Sequence, residues 1–142
     1  MHRCAVALTA LAALGCGGSS RAEPPAALIP RLAQVYFWRA RPGKLEEYNR
    51  YIRQVAEPID QAARQRGAFL SVTTYVSRDS ATGWTHLRVF LLRDSTQLAG
   101  LSRALDSAGI RLEPDSVKRR LRGEYAATLR DRVSSAVLEV LP

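Results

Sequence analysis

Hydrophobic and polar residues alternate along three stretches of this chain, and each stretch is also rich in β-branched or aromatic residues. They occupy residues 32–40 (LAQVYFWRA), 68–77 (AFLSVTTYVS) and 84–92 (WTHLRVFLL). Alternation with this composition predicts strands, and the turn-like segment 78–83 between the last two predicts a hairpin. A shorter run near the end, residues 135–141 (SAVLEVL), predicts a fourth strand.

A different period follows the first strand, where hydrophobic residues recur every three or four positions. This period predicts an amphipathic helix that begins at Lys44 and stops at Gly67. Pro58 lies inside the helix and is expected to kink it near Glu57, because proline has no amide hydrogen and crowds the preceding turn.

Two further helices are predicted between the hairpin and the last strand. The first is capped by Asp94 or Ser95 and ends at Gly109. The second spans about residues 115–132, and Pro114 suits its first turn. Its hydrophobic residues at helical spacing form the expected apolar stripe: Val117, Leu121, Tyr125 and Leu129.

The predicted elements follow the order strand, helix, strand, strand, helix, helix, strand, which indicates an α+β domain. This order matches the split βαβ plan of a ferredoxin-like fold, an antiparallel four-stranded sheet with helices on one face. We assign the domain to residues 31–142, since the sequence shows no internal repeat and no second linker.

The side chains of the predicted strands fall into two alternating sets of different character. One set is aliphatic and is expected to pack under the helices; it includes Val35, Val72, Leu87, Val89 and Leu91. The other set is aromatic and polar, and we expect it to share the opposite face: Tyr36, Trp38, Thr73, Tyr75, Trp84, His86 and Arg88. Exposed patches of this kind mark interfaces or ligand sites, so this second set is the candidate ligand-binding set.

Several short segments of the domain resemble the dimeric α/β-barrel superfamily. In chain order they are Arg41-Pro42-Gly43-Lys44, Glu47-Tyr48, Pro58-Ile59, Gly67 and Gly83-Trp84. The group includes NIPSNAP-like domains, antibiotic-biosynthesis-type monooxygenases, and dye-decolourising and chlorite-dismutase-like haem proteins. The resemblance implies a homodimer whose two sheets form a barrel, and we expect the barrel cavity to bind a small apolar or aromatic molecule.

His86 is the candidate catalytic residue, because it is the only histidine of the predicted domain and histidine titrates near neutral pH. On a cavity wall it could act as a general base, a haem ligand or a ligand contact, and a structural histidine is the alternative. The sequence leaves open whether the protein is an enzyme. Binding without catalysis is the favoured interpretation, and an oxygenase-like enzyme, cofactor-free or haem-dependent, is the alternative. No metal site is expected, since one histidine without cysteines or paired carboxylates falls short of a ligand set.

The N-terminus resembles a bacterial lipoprotein signal peptide. A basic start precedes the apolar run 5–14, and Gly15 precedes Cys16. The run is too short to span a bilayer, which takes about twenty residues. We therefore expect residues 1–15 to be removed, Cys16 to be lipidated and residues 16–30 to form a flexible tether in the cell envelope, facing the periplasm or the exterior. The alternative, an ordinary secretory signal cut shortly after the cysteine, would leave a protein without a lipid anchor.

The chain carries a formal charge of +8 at pH 7. A basic cluster lies on the predicted third helix, with two more arginines further along it: Lys118, Arg119, Arg120, Arg122, Arg130 and Arg132. Such a surface could contact anionic lipid, so an envelope interaction protein is a third candidate function. Nucleic acid is not expected as a partner, because the compartment is wrong and no aromatic RNA-binding motif is present.

Overall fold

The structure is a computed structural model, and it describes residues 29–141. These residues form four strands and four helices, with one π-helical turn and one 3₁₀ turn. In chain order they are β1 (Leu32–Ala40), α1 (Leu45–Tyr51), the π turn (Ile52–Ala56), α2 (Glu57–Arg64), β2 (Ser71–Val76), the 3₁₀ turn (Ser80–Thr82), β3 (His86–Leu92), α3 (Ser95–Leu112), α4 (Ser116–Leu129) and β4 (Arg130–Glu139). Within this described part of the chain, no helix combines the length and the apolar character needed to cross a membrane.

The four strands form one antiparallel sheet in the order β2–β3–β1–β4. β1 and β2 are connected through α1 and α2 and run parallel, with β3 inserted between them, which is the split βαβ arrangement. β4 lies at the other edge, beside β1. The topology is ferredoxin-like, so the fold class predicted from the sequence is confirmed.

The segment after β1 forms two helices and not one continuous α-helix. The π turn Ile52–Ala56 joins α1 to α2, and Pro58 lies in the first turn of α2. Proline cannot donate the amide hydrogen bond that would continue the α-helix regularly, so the irregular turn lies just before it. The sequence predicted a kink near Glu57, and the structure has the π turn that ends at Ala56, directly before it.

α3 is longer than the sequence predicts. It continues through Gly109, the expected stop, and ends at Leu112. Asp94 caps its start as predicted, because its carboxylate accepts the amide hydrogen of Gln97. Gly109 is buried beside Ile59 of α2, so it packs inside the structure and does not end the helix.

The boundary between α4 and β4 also differs from the prediction. α4 starts after a cap at Asp115 and ends at Leu129, and β4 begins at the next residue. Arg130 and Arg132 therefore lie on a strand and not on the basic helix. Only Leu129 of the expected apolar stripe is buried, and the remaining three residues are exposed: Val117, Leu121 and Tyr125.

The helices cover the face of the sheet that we expected to be open. β3 directs its alternate side chains to this face, and all four are buried: His86, Arg88, Phe90 and Leu92. The aliphatic residues between them lie on the other face: Leu87, Val89 and Leu91. The prediction that the aliphatic set packs under the helices is wrong for β3 and for Val35 of β1, because alternation separates two sets but does not show which set meets the helices. It is confirmed for Val72 of β2, which packs against the core under the helices.

Candidate functional site

His86 is enclosed between the sheet and α1. Its Nδ1 lies 2.8 Å from the Thr85 hydroxyl oxygen, and its Nε2 lies 2.8 Å from Oδ1 of Asn49. The Tyr48 ring packs edge-on against the imidazole, with 4.4 Å between the ring centres. His86 has no exposed surface, so its own subunit surrounds it completely.

This environment keeps the imidazole of His86 neutral. Burial lowers the pKa of His86 to about 4, and the cations of Arg130 and Arg88 act in the same direction. A neutral ring that donates from Nε2 to Asn49 accepts at Nδ1 from Thr85, so both nitrogens are occupied. A general base or a haem ligand needs a nitrogen that faces its partner. The residues around His86 fit neither role.

Arg88 forms a buried ion pair with Asp60 of α2. Its Nε also donates to the Thr74 hydroxyl on β2, 3.3 Å away. Burial raises the pKa of the Asp60 carboxyl, and the neighbouring Arg88 guanidinium opposes that shift. The charge of Arg88 is therefore already matched inside the subunit, and the pair joins β3 to α2.

A β-bulge in β4 determines which of its side chains face the helices. The pairing of β1 with β4 shifts by one residue, which leaves Val133 as the extra residue. As a result Trp38 pairs with Arg132, and Arg130 lies two residues further along on the same side. Without the bulge, Val133 would pair with Trp38, and Asp131 would take the position of Arg130. The bulge thus turns two arginines toward Trp38.

Trp38 lies against both of these guanidinium groups. Cζ of Arg130 is 3.7 Å from the centre of the indole ring, and Cζ of Arg132 is 5.0 Å from it, so both form cation–π contacts. Arg132 also lies 5.3 Å from the Tyr36 ring. Arg130 donates a hydrogen bond of 2.8 Å to the Tyr48 hydroxyl. Neither arginine forms an ion pair with a carboxylate of residues 29–141.

A cleft of about 290 Å³ lies beside these side chains, between the sheet and α3, and we call it the arginine–tryptophan pocket. It is lined by Tyr36, Trp38, Arg88 and Phe90 of the sheet centre, by Arg130 and Arg132 of β4, and by Ser102, Leu105 and Asp106 of α3. The pocket therefore combines flat aromatic surface with guanidinium groups, and α3 adds one carboxylate and one hydroxyl.

The residues predicted to share a ligand-binding face are divided between the two faces of the sheet. Tyr36, Trp38, His86 and Arg88 lie on the helix-covered face, and three of them line the pocket: Tyr36, Trp38 and Arg88. Thr73 and Tyr75 pair with residues of the open face. Trp84 precedes β3, and its ring centre is 5.8 Å from that of Phe37 on the open side. The prediction of one common face is therefore wrong, and ligand binding by these residues stays a prediction.

Four polar residues of this region were not identified as site residues from the sequence: Asn49, Asp60, Arg130 and Arg132. Asp60 carries a usable signal, because it follows Ile59 within the apolar stripe of the helix, where a carboxylate needs a partner. The sequence carries no such signal for Arg130 and Arg132, because their orientation depends on the bulge, which the sequence does not indicate.

A larger open groove of about 540 Å³ lies near the connection between β2 and β3. Pro42, Leu45 and Trp84 give it apolar surface, while its charged side chains are exposed to solvent. Solvated charges on flexible side chains orient a ligand weakly. In the smaller arginine–tryptophan pocket, Arg88 is buried and Arg130 is partly buried, so we treat that pocket as the candidate site.

No family model matches this chain, and no curated protein matches it. Among solved structures, HapK from Hahella chejuensis is similar with a TM-score of 0.52 and 10% sequence identity, over 78% of this chain and 92% of HapK. PA3566 from Pseudomonas aeruginosa is similar with a TM-score of 0.47 and 16% identity, over 81% of this chain and 96% of PA3566. The fold is ferredoxin-like. Identities this low concern the fold alone and assign no activity.

Proposed function

We propose that this protein binds a small planar molecule with an acidic group in the arginine–tryptophan pocket, without catalysing a reaction. The observation that carries the proposal is the guanidinium group of Arg130, a partly buried residue at the wall of the pocket. It stacks 3.7 Å from the Trp38 ring and forms no ion pair with the described residues. A cation held at the wall of a cleft without a carboxylate partner attracts an anionic ligand.

The size of the pocket favours a ligand of about one ring. Small-molecule sites commonly measure roughly 300–1,000 Å³, and this pocket is near the lower limit at about 290 Å³. Trp38 and Tyr36 offer flat faces for stacking, and an arginine fork matches a carboxylate or phosphate. Asp106 and Ser102 on α3 can accept hydrogen bonds from a hydroxyl or amine of the ligand.

The geometry does not favour the oxygenase-like alternative, which depended on His86 lining the cavity. His86 is fully buried, does not line the pocket, and has both ring nitrogens hydrogen-bonded. We assign it a structural role, because its bond to Asn49 joins β3 to α1.

We also propose that two copies pair through the open face of the sheet. Leu87, Val89 and Leu91 on this face are only partly buried, and Tyr75 is 53% exposed. Pairing two such faces would remove their apolar surface from water, which contributes roughly 25 cal/mol per Å². In this arrangement each arginine–tryptophan pocket lies inside one subunit and not in a shared barrel interior.

We also propose that the protein is exported and lipidated at Cys16. This part of the proposal rests on the N-terminal sequence alone, because residues 1–28 lie outside the described residues. In a bacterial host, the chain should incorporate labelled palmitate, and Cys16→Ser should abolish the label. Equal labelling of both chains would contradict lipidation at this cysteine.

Ligand binding can be tested through the fluorescence of Trp38. The chain has two tryptophans, so Trp84→Phe leaves Trp38 as the sole reporter. Benzoate and phenyl phosphate serve as acidic probes, and benzamide is the neutral analogue. We expect saturable changes with at least one acid and at least tenfold weaker binding of benzamide, which lacks the charge that the arginines attract.

Two arginine variants in the Trp84→Phe background localise the effect. Arg130→Gln should weaken binding of the acid about tenfold, since a hydrogen bond between charged groups contributes about 1.5–3 kcal/mol. Arg39→Gln removes an exposed arginine that lies outside the pocket, and it should leave binding unchanged. Equal binding of acid and amide, or no response to either acid by the folded protein, would contradict the proposed function.

A further inference from the structure

A second cleft, of about 430 Å³, lies between α3 and α4, and we call it the α3–α4 cleft. Leu105 and Asp106 of α3 line both this cleft and the arginine–tryptophan pocket. Tyr51 at the end of α1 lines the α3–α4 cleft, and the centre of its ring is 5.9 Å from Cζ of Arg130, which lines the pocket. The two spaces are therefore neighbours.

α3 forms a continuous wall along both spaces. Ser102 lines the pocket, Leu105 and Asp106 line both spaces, and Gly109 and Ile110 line the α3–α4 cleft. Residues at these intervals lie on one side of a helix. Each residue of an α-helix advances it by about 1.5 Å, so the wall from Ser102 to Gly109 is about 10 Å long. A ligand that fills both spaces is therefore longer than one ring.

The charges along this wall alternate in sign. Arg130 and Arg132 lie in the pocket, the exposed Asp106 lies where the two spaces meet, and Arg119 and Arg122 line the α3–α4 cleft. Arg119 donates to two backbone carbonyls that precede α4. Within residues 29–141, neither Arg119 nor Arg122 forms an ion pair with a carboxylate. The pattern favours a ligand with an acid at each end and no negative charge in the middle.

Gly109 leaves room for the second acid. A Cβ atom at Gly109 would lie 3.8 Å from Nη2 of Arg122 and 3.8 Å from Cδ1 of Ile59, two residues that line the α3–α4 cleft. Glycine inside a helix is less favourable than alanine. Here the missing methyl group leaves space beside the Arg122 guanidinium, which is part of a partly buried residue.

We infer that the ligand is an elongated dianion that occupies both spaces. Its flat group and first acid lie in the arginine–tryptophan pocket, so this inference rests on the proposed function. Its second acid lies beside Arg122, whose guanidinium fork matches a carboxylate. Asp106 repels a negative charge at the middle of the ligand, which favours acids at the ends.

Isothermal titration calorimetry on the chain carrying Cys16→Ser tests this inference without an acyl chain. The probes are a biphenyl dicarboxylate with its acids at opposite ends, the biphenyl carboxylate that lacks one acid, and terephthalate, which carries both acids on one ring. We expect the biphenyl diacid to bind at least tenfold more tightly than the biphenyl monoacid. Terephthalate should bind no more tightly than benzoate, because it is too short to reach Arg122.

Three arginine variants show where each acid binds. Arg122→Gln should abolish the preference for the biphenyl diacid and leave the affinity for the monoacid unchanged. Arg130→Gln should weaken both ligands about tenfold, because both place an acid in the pocket. The matched control is Arg120→Gln, which removes an exposed arginine of α4 that lines neither space, and it should change neither affinity.

The outcomes separate this inference from the proposed function. If the biphenyl diacid and monoacid bind equally, and Arg130→Gln weakens both, the second site is overturned and the proposed function stands. A preference for the diacid that survives Arg122→Gln, or that Arg120→Gln also removes, overturns the second site as well. If neither acid binds, both proposals fail. Circular dichroism on each variant checks that the fold is retained.

Discussion

The two faces of the sheet differ in a way that simple hydrophobicity does not predict. The face against the helices carries His86 and Arg88 among its buried side chains, whereas the open face carries Leu87, Val89 and Leu91. The helices make the first face suitable for polar groups, because Asn49 and Asp60 supply hydrogen bonds and charge. Burial inside one subunit therefore depends on available partners as much as on apolar character.

The open face follows a different requirement. Its aliphatic side chains have no need of specific polar partners, and they can pack against an identical face by shape and area alone. We therefore propose that ligand binding belongs to the helix-covered face and that association belongs to the open face.

Removing the partner of Arg88 should have the largest effect. Asp60→Ala leaves a buried guanidinium without its carboxylate, and we expect the free energy of unfolding to fall by about 3–5 kcal/mol. Urea unfolding followed by circular dichroism measures this. The control Asp131→Ala breaks the exposed pair with Arg41 and should cost about 0–1 kcal/mol.

A double variant sharpens the same prediction. Asp60→Leu with Arg88→Met removes both charges, and it should recover most of the stability that Asp60→Ala loses. If Asp60→Ala costs no more than Asp131→Ala, the ion pair does not hold α2 against β3.

A charge on the open face should change association and leave the fold intact. Val89→Asp places a carboxylate in the proposed dimer contact, and we expect the dimer dissociation constant to rise at least about a hundredfold, equivalent to ~3 kcal/mol. Sedimentation equilibrium on the Cys16→Ser chain measures it, and Val137→Asp at an exposed position of β4 is the control. A monomeric parent chain would contradict pairing through the open face. A Val89→Asp variant that unfolds would contradict the claim that this face serves association and not the fold of one subunit.

Neutral His86 should give the helix-covered face a smaller dependence on pH. The unfolded chain binds a proton at His86 near pH 6.5, whereas the folded protein does so only near pH 4, so stability is lost as pH falls between these values. Between pH 7 and pH 5 the loss is about 2 kcal/mol. His86→Gln should lack this component, and urea unfolding of both proteins at the two pH values measures the difference.

Other titrating groups cancel in that comparison. The raised pKa of Asp60 acts with the opposite sign, because its folded-state carboxyl ionises at higher pH than its unfolded one, but it is present in both proteins. If the parent and His86→Gln lose the same stability over this range, the imidazole is not held neutral by burial.

The fold was largely predictable from the sequence. The alternating stretches around Val35, Thr73 and Val89 form the expected strands, and the helical periods lie between them in the expected order. Boundaries failed where a local signal was overridden. Gly109 suited a helix stop, but α3 continues through it to Leu112, because Gly109 packs beside Ile59 inside the structure.

The candidate site was less predictable, for physical reasons. Periodicity placed Trp38 and His86 on one side of the sheet correctly but could not show that helices cover that side. The orientation of Arg130 depends on one extra residue at Val133, and a bulge of this kind leaves no periodic signal. Asp60 was detectable in principle, since a carboxylate within an apolar helical stripe needs a buried partner.

The most direct test of the central claim is a ¹H–¹⁵N nuclear magnetic resonance titration of the protein with benzoate and phenyl phosphate. If acidic ligands bind beneath the helices, the Trp38 indole and the side-chain Nε signals of Arg130 and Arg132 will shift. The backbone amides of Thr73 and Tyr75 on the open face will stay in place. Shifts confined to Thr73, Tyr75 and the Trp84 indole would contradict the account, because they would place binding on the face that we assign to association.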